Sequence, residues 1–318
     1  MRINNAIYYF LSGGLIALTF FAIYPFDIPL FECLSEYSVQ YIFILLGVGM
    51  IFLIIDHKKL MFVSLGSAAI LCVFLKKHSN YNLVLPVENK QPSISIAHYN
   101  LSNITYSPEA FLEVIKNSSA ELISFQEFNP FWDKLLSTEL NKNYIECLKV
   151  TRIDPFGTAI FSKIQLISKD TLYSAEKPGL TASIKLGNEV VDIYSTYIIP
   201  SLNEDSNEKA QNQLSQISNQ IKQNKRSAIV LGEFNDVYWS NNIRSFRSDN
   251  KLFNSRRNTE PGSFEVPYDH IFYTSDLECT YFQELNDPSN HKIGILGRYQ
   301  LRLDEEDFIR SAYNSQNI

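Results

Sequence analysis

Apolar residues change their spacing once along this chain. In the first quarter they run on without a break, and beyond it they alternate or recur at helical intervals. Three uncharged stretches come first: Ile7 to Tyr24, broken only by small or polar groups such as Ser12 and Gly13–Gly14, then Val39 to Ile55, and Leu60 to Leu75. Crossing a hydrocarbon core of ~30 Å takes roughly 17–25 such residues, which makes the third stretch the marginal one. Backbone groups in lipid must be bonded within their own segment, so the stretches are helices if they span. A cleaved signal peptide would account for the first stretch alone, not for the two that follow it at once. The pattern predicts an anchor of about three transmembrane helices over residues 1–77.

The rhythm then changes. His78 to Pro92 is polar and carries two prolines, which reads as a linker over 78–92. Ser93–Tyr99 alternates as a strand. Ser107-Pro108-Glu109 opens a helix, with a capping serine, proline at the first position and an acid in the first turn. Leu122–Phe125, Thr158–Phe161, Ser183–Leu186 and Glu189–Tyr194 read as strands. Ala210, Leu214, Ile217 and Ile221 mark one face of a helix between Ser206 and Gln223, which leads into the apolar strand Ala228–Leu231. Tyr268–Tyr273, Glu278–Gln283 and Ile293–Leu301 complete a strand-rich half. Many strands with few helices between them imply an α/β domain over 93–303, two packed sheets with helices outside, and a tail over 304–318.

Charge narrows the partners. Five of the 28 Lys and Arg and four of the 34 Asp and Glu precede Ser79, so the rest of the chain is acidic and does not recruit duplex nucleic acid by bulk electrostatics. Arg244, Arg247, Lys251, Arg256 and Arg257 form a local exception, either an anion-binding group or a solvated helix face. Arg2 and Asp56-His57-Lys58-Lys59 are basic, whereas the loop with Asp27, Glu32 and Glu36 has no Lys or Arg. The positive-inside rule puts the N-terminus in the cytoplasm, and three crossings put the domain outside it, on the periplasmic face of a bacterial inner membrane. Lys76 and Lys77 oppose that scheme. The four cysteines match no zinc spacing and read as packed thiols, with Cys147 and Cys279 able to pair only if the fold brings them together.

Polar residues sit at the ends of the core strands in a definite order: Asn100, Gln126-Glu127, Gly232-Glu233-Phe234-Asn235, Asp269-His270 and Asn290-His291. With Gly157–Ser162 and Trp239-Ser240, this order resembles the endonuclease/exonuclease/phosphatase superfamily over roughly Ser93 to Leu303. Membrane-tethered bacterial members are similar in having three apolar helices before the domain. The resemblance implies a four-layer α/β sandwich and a Mg²⁺ (or Mn²⁺) site at Glu127 with Asn100, and with Asn290 on the metal side. It also implies that Glu233, aided by Asn235, activates water, and that His291, oriented by Asp269, meets the phosphoryl oxygen. Tyr197, Arg244 and Arg247 would face substrate.

Three departures from the family pattern surround that site: Glu233 for Asp, Tyr197 for His, and Asn290 for Asp. The two acids at position 233 differ by only ~0.4 in reference pKa, so basicity is kept while the carboxylate moves by about 1 Å. The function implied is a membrane-anchored, metal-dependent phosphohydrolase of phosphodiesterase type acting on a phosphate ester. The alternative is an impaired phosphodiesterase-like domain that binds a phosphorylated ligand or a protein at the membrane.

Overall fold

A computed structural model describes residues 5–26, 29–79, 84–256, 266–287 and 289–302. Arg2, Asp27, Arg257 and the expected tail lie outside them. The first quarter is helical: α1 (Asn5–Ile23), a short α2 (Pro29–Glu36), α3 (Ser38–Ile54) and α4 (Lys58–Ser79). Leu45 of α3 packs with Ala68 and Leu71 of α4 and Ala22 of α1, and Ser64 Oγ donates to the Leu45 carbonyl at 2.6 Å. Phe10, Ile44, Met50, Ile54 and Phe62 on the outer faces are more than half exposed. Such an apolar exterior is disfavoured in water.

The expectation of three spans needs correcting. Among the described residues, α1 and α4 alone are long and apolar enough to cross a membrane; α3 has 17 residues, roughly 25 Å at 1.5 Å per residue. The marginal helix is therefore the middle one. The last stretch gains length because its helix runs on through Lys58–Lys59 at one end and Lys76–His78 at the other.

The helices end against the domain. Ile23 of α1, Val39 of α3, and Phe74 and Leu75 of α4 pack with Val237 and Trp239. The ends of α1 and α4 and the start of α3 thus meet at one end of the bundle, which also carries α2. Trp239 Nε1 donates to the Ser35 carbonyl at 2.8 Å, and the Tyr268 hydroxyl donates to Glu36. The expected linker is partly fastened, since Asn89 N–H donates to Gln300 Oε1 at 2.9 Å and Glu88 pairs with Arg298.

The domain's elements are β1 (Ser93–Asn100), α5 (Pro108–Ser118), β2 (Leu122–Gln126), α6 (Pro130–Leu140), β3 (Glu146–Val150), β4 (Thr158–Ser162), β5 (Leu166–Ser174), β6 (Lys177–Leu186), β7 (Glu189–Tyr197), α7 (Glu204–Asn224), β8 (Ser227–Glu233), α8 (Asn241–Asp249), β9 (Leu252–Asn254), β10 (Asp269–Thr274), β11 (Leu277–Asn286) and β12 (Lys292–Leu301). They form two six-stranded sheets, β11-β12-β1-β2-β4-β3 and β5-β6-β7-β8-β10-β9. Each holds one parallel pair, β1 with β2 and β7 with β8. A parallel pair needs a crossover, which α5 and α7 supply. Caps set their starts: Ser107 Oγ accepts from Ala110 N–H, and Asn203 and Ser206 cap α7 reciprocally, so α7 begins before the expected Ser206.

Three cores result. Aliphatic side chains from both sheets fill the space between them. Phe111 and Ile115 of α5 and Leu136 of α6 pack on the outer face of the first sheet. Leu214 and Ile217 of α7 and Phe246 of α8 pack on that of the second. The order helices, sheet, sheet, helices is the expected four-layer arrangement. All four cysteines are free.

Candidate active site

Inward-facing positions recur every second residue along a strand, and here each row turns polar toward the same end. Ile94 and Ile96 of β1, Leu122 of β2, Val191 and Ile193 of β7, Ile229 and Leu231 of β8 and Ile271 of β10 lie between the sheets. Continuing those rows gives His98 and Asn100, Ser124 and Gln126, Ser195 and Tyr197, Glu233, and Asp269. The inter-sheet core thus grades from aliphatic to ionisable over two residues per strand. Contacts cross the gap: Asn100 Nδ2 donates to Glu233 Oε2 at 2.5 Å, Ser124 Oγ lies 2.7 Å from Ser195 Oγ, and His98 Nδ1 lies 3.2 Å from Ser124 Oγ.

Two glycines let the acids reach this end. Glu127 follows β2 with φ of 57°, and Phe128 N–H donates to the Gly157 carbonyl at 3.0 Å. A Cβ on Gly157 would stand 2.1 Å from the Phe128 carbonyl oxygen. Gly232, with φ of 142°, runs so close to β7 that a Cβ would stand 1.8 Å from the Thr196 carbonyl oxygen. Glu233 follows it, in register with Asp269 on one side and Tyr197 on the other.

Charge is concentrated at this edge. Burial, then the nearby Asp269 and Glu127 carboxylates, push the Glu233 carboxyl up to about 7, against the pull of the Asn100 amide and Lys292. Burial alone would raise Asp269 as well, but Lys292 and His98 hold it below the ordinary carboxylate range. Lys292 Nζ stands 2.8 Å from Asp269 Oδ2, and His98 Nε2 3.7 Å from Oδ1. His98 is fully buried, which lowers it to about 4 and leaves the imidazole neutral. Tyr197 is raised by burial and then by Glu233; the edge of Phe156 packs on its ring. An open cleft of about 580 Å³ exposes Glu233, Asp269, Lys292 and His291, and Tyr37, between α2 and α3, forms part of its wall.

Several expectations need correction. Asp269 does not pair with His291. That imidazole is 67% exposed, with Nδ1 3.4 Å from Asp287 Oδ2, while Lys292 and His98 occupy Asp269. Asn290 sits in the β11–β12 turn at φ of 66°, its Oδ1 accepting from Asn286 Nδ2 at 3.0 Å, and it does not join the acids. Asn235 Nδ2 donates to the Ile198 carbonyl at 2.9 Å and so fixes the loop after β8. Arg244 and Arg247 face α4: Arg247 Nη1 donates to the His78 carbonyl at 3.0 Å, and Arg244 lies over the Phe74 ring. Their helix docks on α4, which removes them from the cleft. His98, Ser124, Ser195 and Lys292 were not foreseen.

The donors at this end set how a metal could be held. Among the described residues, no three His, Cys, Asp or Glu side chains stand together as a cage. Asn100 is committed, its Nδ2 to Glu233 and its Oδ1 to Ser102. Beside Glu127, the fully buried Gln126 has neither amide atom partnered. Mg²⁺ commonly takes one or two protein carboxylates and completes its shell with water and substrate phosphate. Glu127, close enough to Glu233 to raise its carboxyl, meets that modest demand.

A two-sheet sandwich with acids gathered at one end of its inter-sheet core defines a phosphoesterase-type α/β domain. Residues 97–291 match the family model "Endonuclease/Exonuclease/phosphatase family", and the chain belongs to that family. Solved structures share the fold. An endonuclease/exonuclease/phosphatase from Beutenbergia cavernae is 12% identical, with 66% of this chain and 72% of that one covered and a TM-score of 0.53. A family protein from Bacteroides thetaiotaomicron is 15% identical, with 68% and 100% covered and a TM-score of 0.52. The catalytic domain of human Nocturnin, with bound sulfate, is 14% identical, with 66% and 94% covered and a TM-score of 0.51. No curated protein matches the chain by sequence.

Proposed function

We propose that this chain is a membrane-anchored, divalent-metal-dependent phosphohydrolase of phosphodiesterase type. The observation that carries the reading is the convergence of Glu233 and Asp269 on one cleft, paired in strand register, with Glu127 at the neighbouring strand end. Glu127 holds the cation, Mg²⁺ or Mn²⁺, which when bound neutralises charge on the phosphate oxygens. Glu233 takes a proton from water as the water oxygen bonds to phosphorus. The bond from phosphorus to the ester oxygen breaks in line, and the alcohol leaves with a proton from solvent. The Asn100 amide aims the Glu233 carboxylate.

Anchoring is supported by the span-length helices α1 and α4 and by Tyr37, which makes the anchor part of the cleft wall. In this reading α3 carries the chain back between α1 and α4, whose C-terminal ends both meet Val237 and Trp239, so the soluble domain lies at the periplasmic face and the substrate is a phosphate ester within reach of that face.

The full chain in detergent should hydrolyse bis-p-nitrophenyl phosphate with Mg²⁺ or Mn²⁺, and Glu127→Ala should lose at least a hundredfold. Absence of hydrolysis with either metal defeats the enzymatic reading. The second reading, a phosphate-binding module without turnover, is favoured by one feature: the expected Asp–His pair is not formed, with His291 turned to Asp287.

A further inference from the structure

His291 and Lys292 follow one another at the start of β12, and only one of them faces the buried acids. Asp287 closes the preceding turn. Its Oδ1 accepts from Ser289 N–H and His291 N–H, each at 2.8 Å, and its own N–H donates to the His291 carbonyl at 2.8 Å. The turn hands over β12 with Lys292 as its first residue, opposite Asn286. The register with β11 shifts between Leu285 and Asn286, so the alternation of β12 is broken at its start. Lys292 turns to Asp269 with 10% of its side chain exposed, while the His291 imidazole stays 67% exposed beside Asp287.

An inward ammonium is expensive unless it is paired, and Asp269 Oδ2 pairs it at 2.8 Å. That contact uses one of the three N–H donors of a lysine. The ammonium is not sealed under the site, because Lys292 lines the open cleft beside Glu233 and Asp269. Asp269 is itself held from behind by His98, which the Ser124–Ser195 contact steadies in turn. A chain of side chains from both sheets thus aims one cation into the cleft.

We propose that Lys292, held by Asp269, binds a phosphate oxygen in this cleft, in the place that the resemblance assigned to His291. The catalytic consequence rests on the phosphohydrolase reading; the anion site does not. A lysine offers a point charge with rotatable donors, so the site supplies charge and a hydrogen bond to a non-bridging oxygen.

The test uses the full chain in detergent micelles and inorganic phosphate as probe, with binding read by calorimetry. Lys292→Gln should weaken phosphate binding at least tenfold, and Lys292→Arg, which keeps the charge, should recover most of it. On the unaltered protein, phosphate should slow acetylation of Lys292 by acetic anhydride, read by peptide mass spectrometry, relative to exposed lysines. Wild-type affinity in Lys292→Gln overturns the proposal, as does a tenfold loss in His291→Ala in its place, or acetylation of Lys292 indifferent to phosphate. Hydrolysis of bis-p-nitrophenyl phosphate separates the two readings. Turnover that survives Lys292→Gln unchanged sinks the role of Lys292 and leaves the enzyme; phosphate binding that needs Lys292 in a chain without turnover does the reverse.

Discussion

Replacing Gly157 with alanine should uncouple Glu127 from the cleft. The added Cβ would stand 2.1 Å from the Phe128 carbonyl oxygen, 2.8 Å from the Phe128 carbonyl carbon and 3.1 Å from Arg152 N. All three atoms are backbone, so no side chain can swing aside. Reaching even 3.0 Å, the least separation that real Cβ atoms show, requires the Phe128 peptide to retreat by about 0.9 Å. That carbonyl lies one residue past Glu127, whose φ of 57° already ties it to this turn. Overpacking of this kind costs about 1–3 kcal/mol, and for a domain of this size each kcal/mol lowers Tm by about 2–4 °C. Misplacing a catalytic group by about 1 Å costs on the order of a hundredfold in rate. Gly157→Ala should therefore unfold a few degrees early in a thermal melt with Mg²⁺ absent, and should lose the stabilisation that Mg²⁺ gives the wild type. A variant that melts with the wild type and keeps its full metal response would refute the argument that this turn positions Glu127.

Two further outcomes follow from the seam between anchor and domain. Trp239→Phe removes the indole N–H that meets the Ser35 carbonyl at 2.8 Å; that carbonyl keeps the Ser38 hydroxyl at 2.6 Å, so the loss is one hydrogen bond, about 0.5–1.5 kcal/mol, and thermal unfolding of the full chain should show it as a lower Tm. Asp236 is raised to about 7 by burial and then by Glu36 and Glu32, against the Ser240 hydroxyl and the Val237 N–H. The folded chain then holds a proton that the unfolded chain has released between about pH 4 and pH 7, so this residue makes stability fall as pH rises through that window and leaves it level above. Asp236→Asn should flatten the fall in denaturant melts across those pH values, and a slope equal to the wild type's would show that Asp236 is not its source.

The sheet cores were legible because they carry the alternating signal, and of the four edge strands only β11 was. β3, β5 and β9 are all edge strands. In β5 only Leu166 is buried while the four residues after it are exposed, so a period of two had nothing to act on. The helices α6 and α8 were missed for another reason. Each is short, and each starts from a side-chain cap, Asn129 and Ser240, that local composition hid. The docking of α8 on α4 is a tertiary fact. Arg244 and Arg247 resemble an anion-binding group until α4 is seen against them.

At the site the same period-two rule had more to give than was taken from it. Asn100, Glu127, Glu233 and Asp269 were found because each terminates or begins an apolar run. His98, Ser124 and Ser195 stood two residues further in, as polar breaks in rows otherwise filled by Ile, Leu and Val, and their coincidence on three strands is a signal that one strand alone would not give. His291 and Lys292 mark the limit of the rule. A β-bulge re-aims the side chains beside it, and the register of β12 against β11 shifts between Leu285 and Asn286, where Asp287 closes the turn. Nothing in the residue types of Asn290, His291 and Lys292 declares which of them begins the strand. The order of polar residues led to this strand end, while the turn sets Lys292 rather than His291 against Asp269.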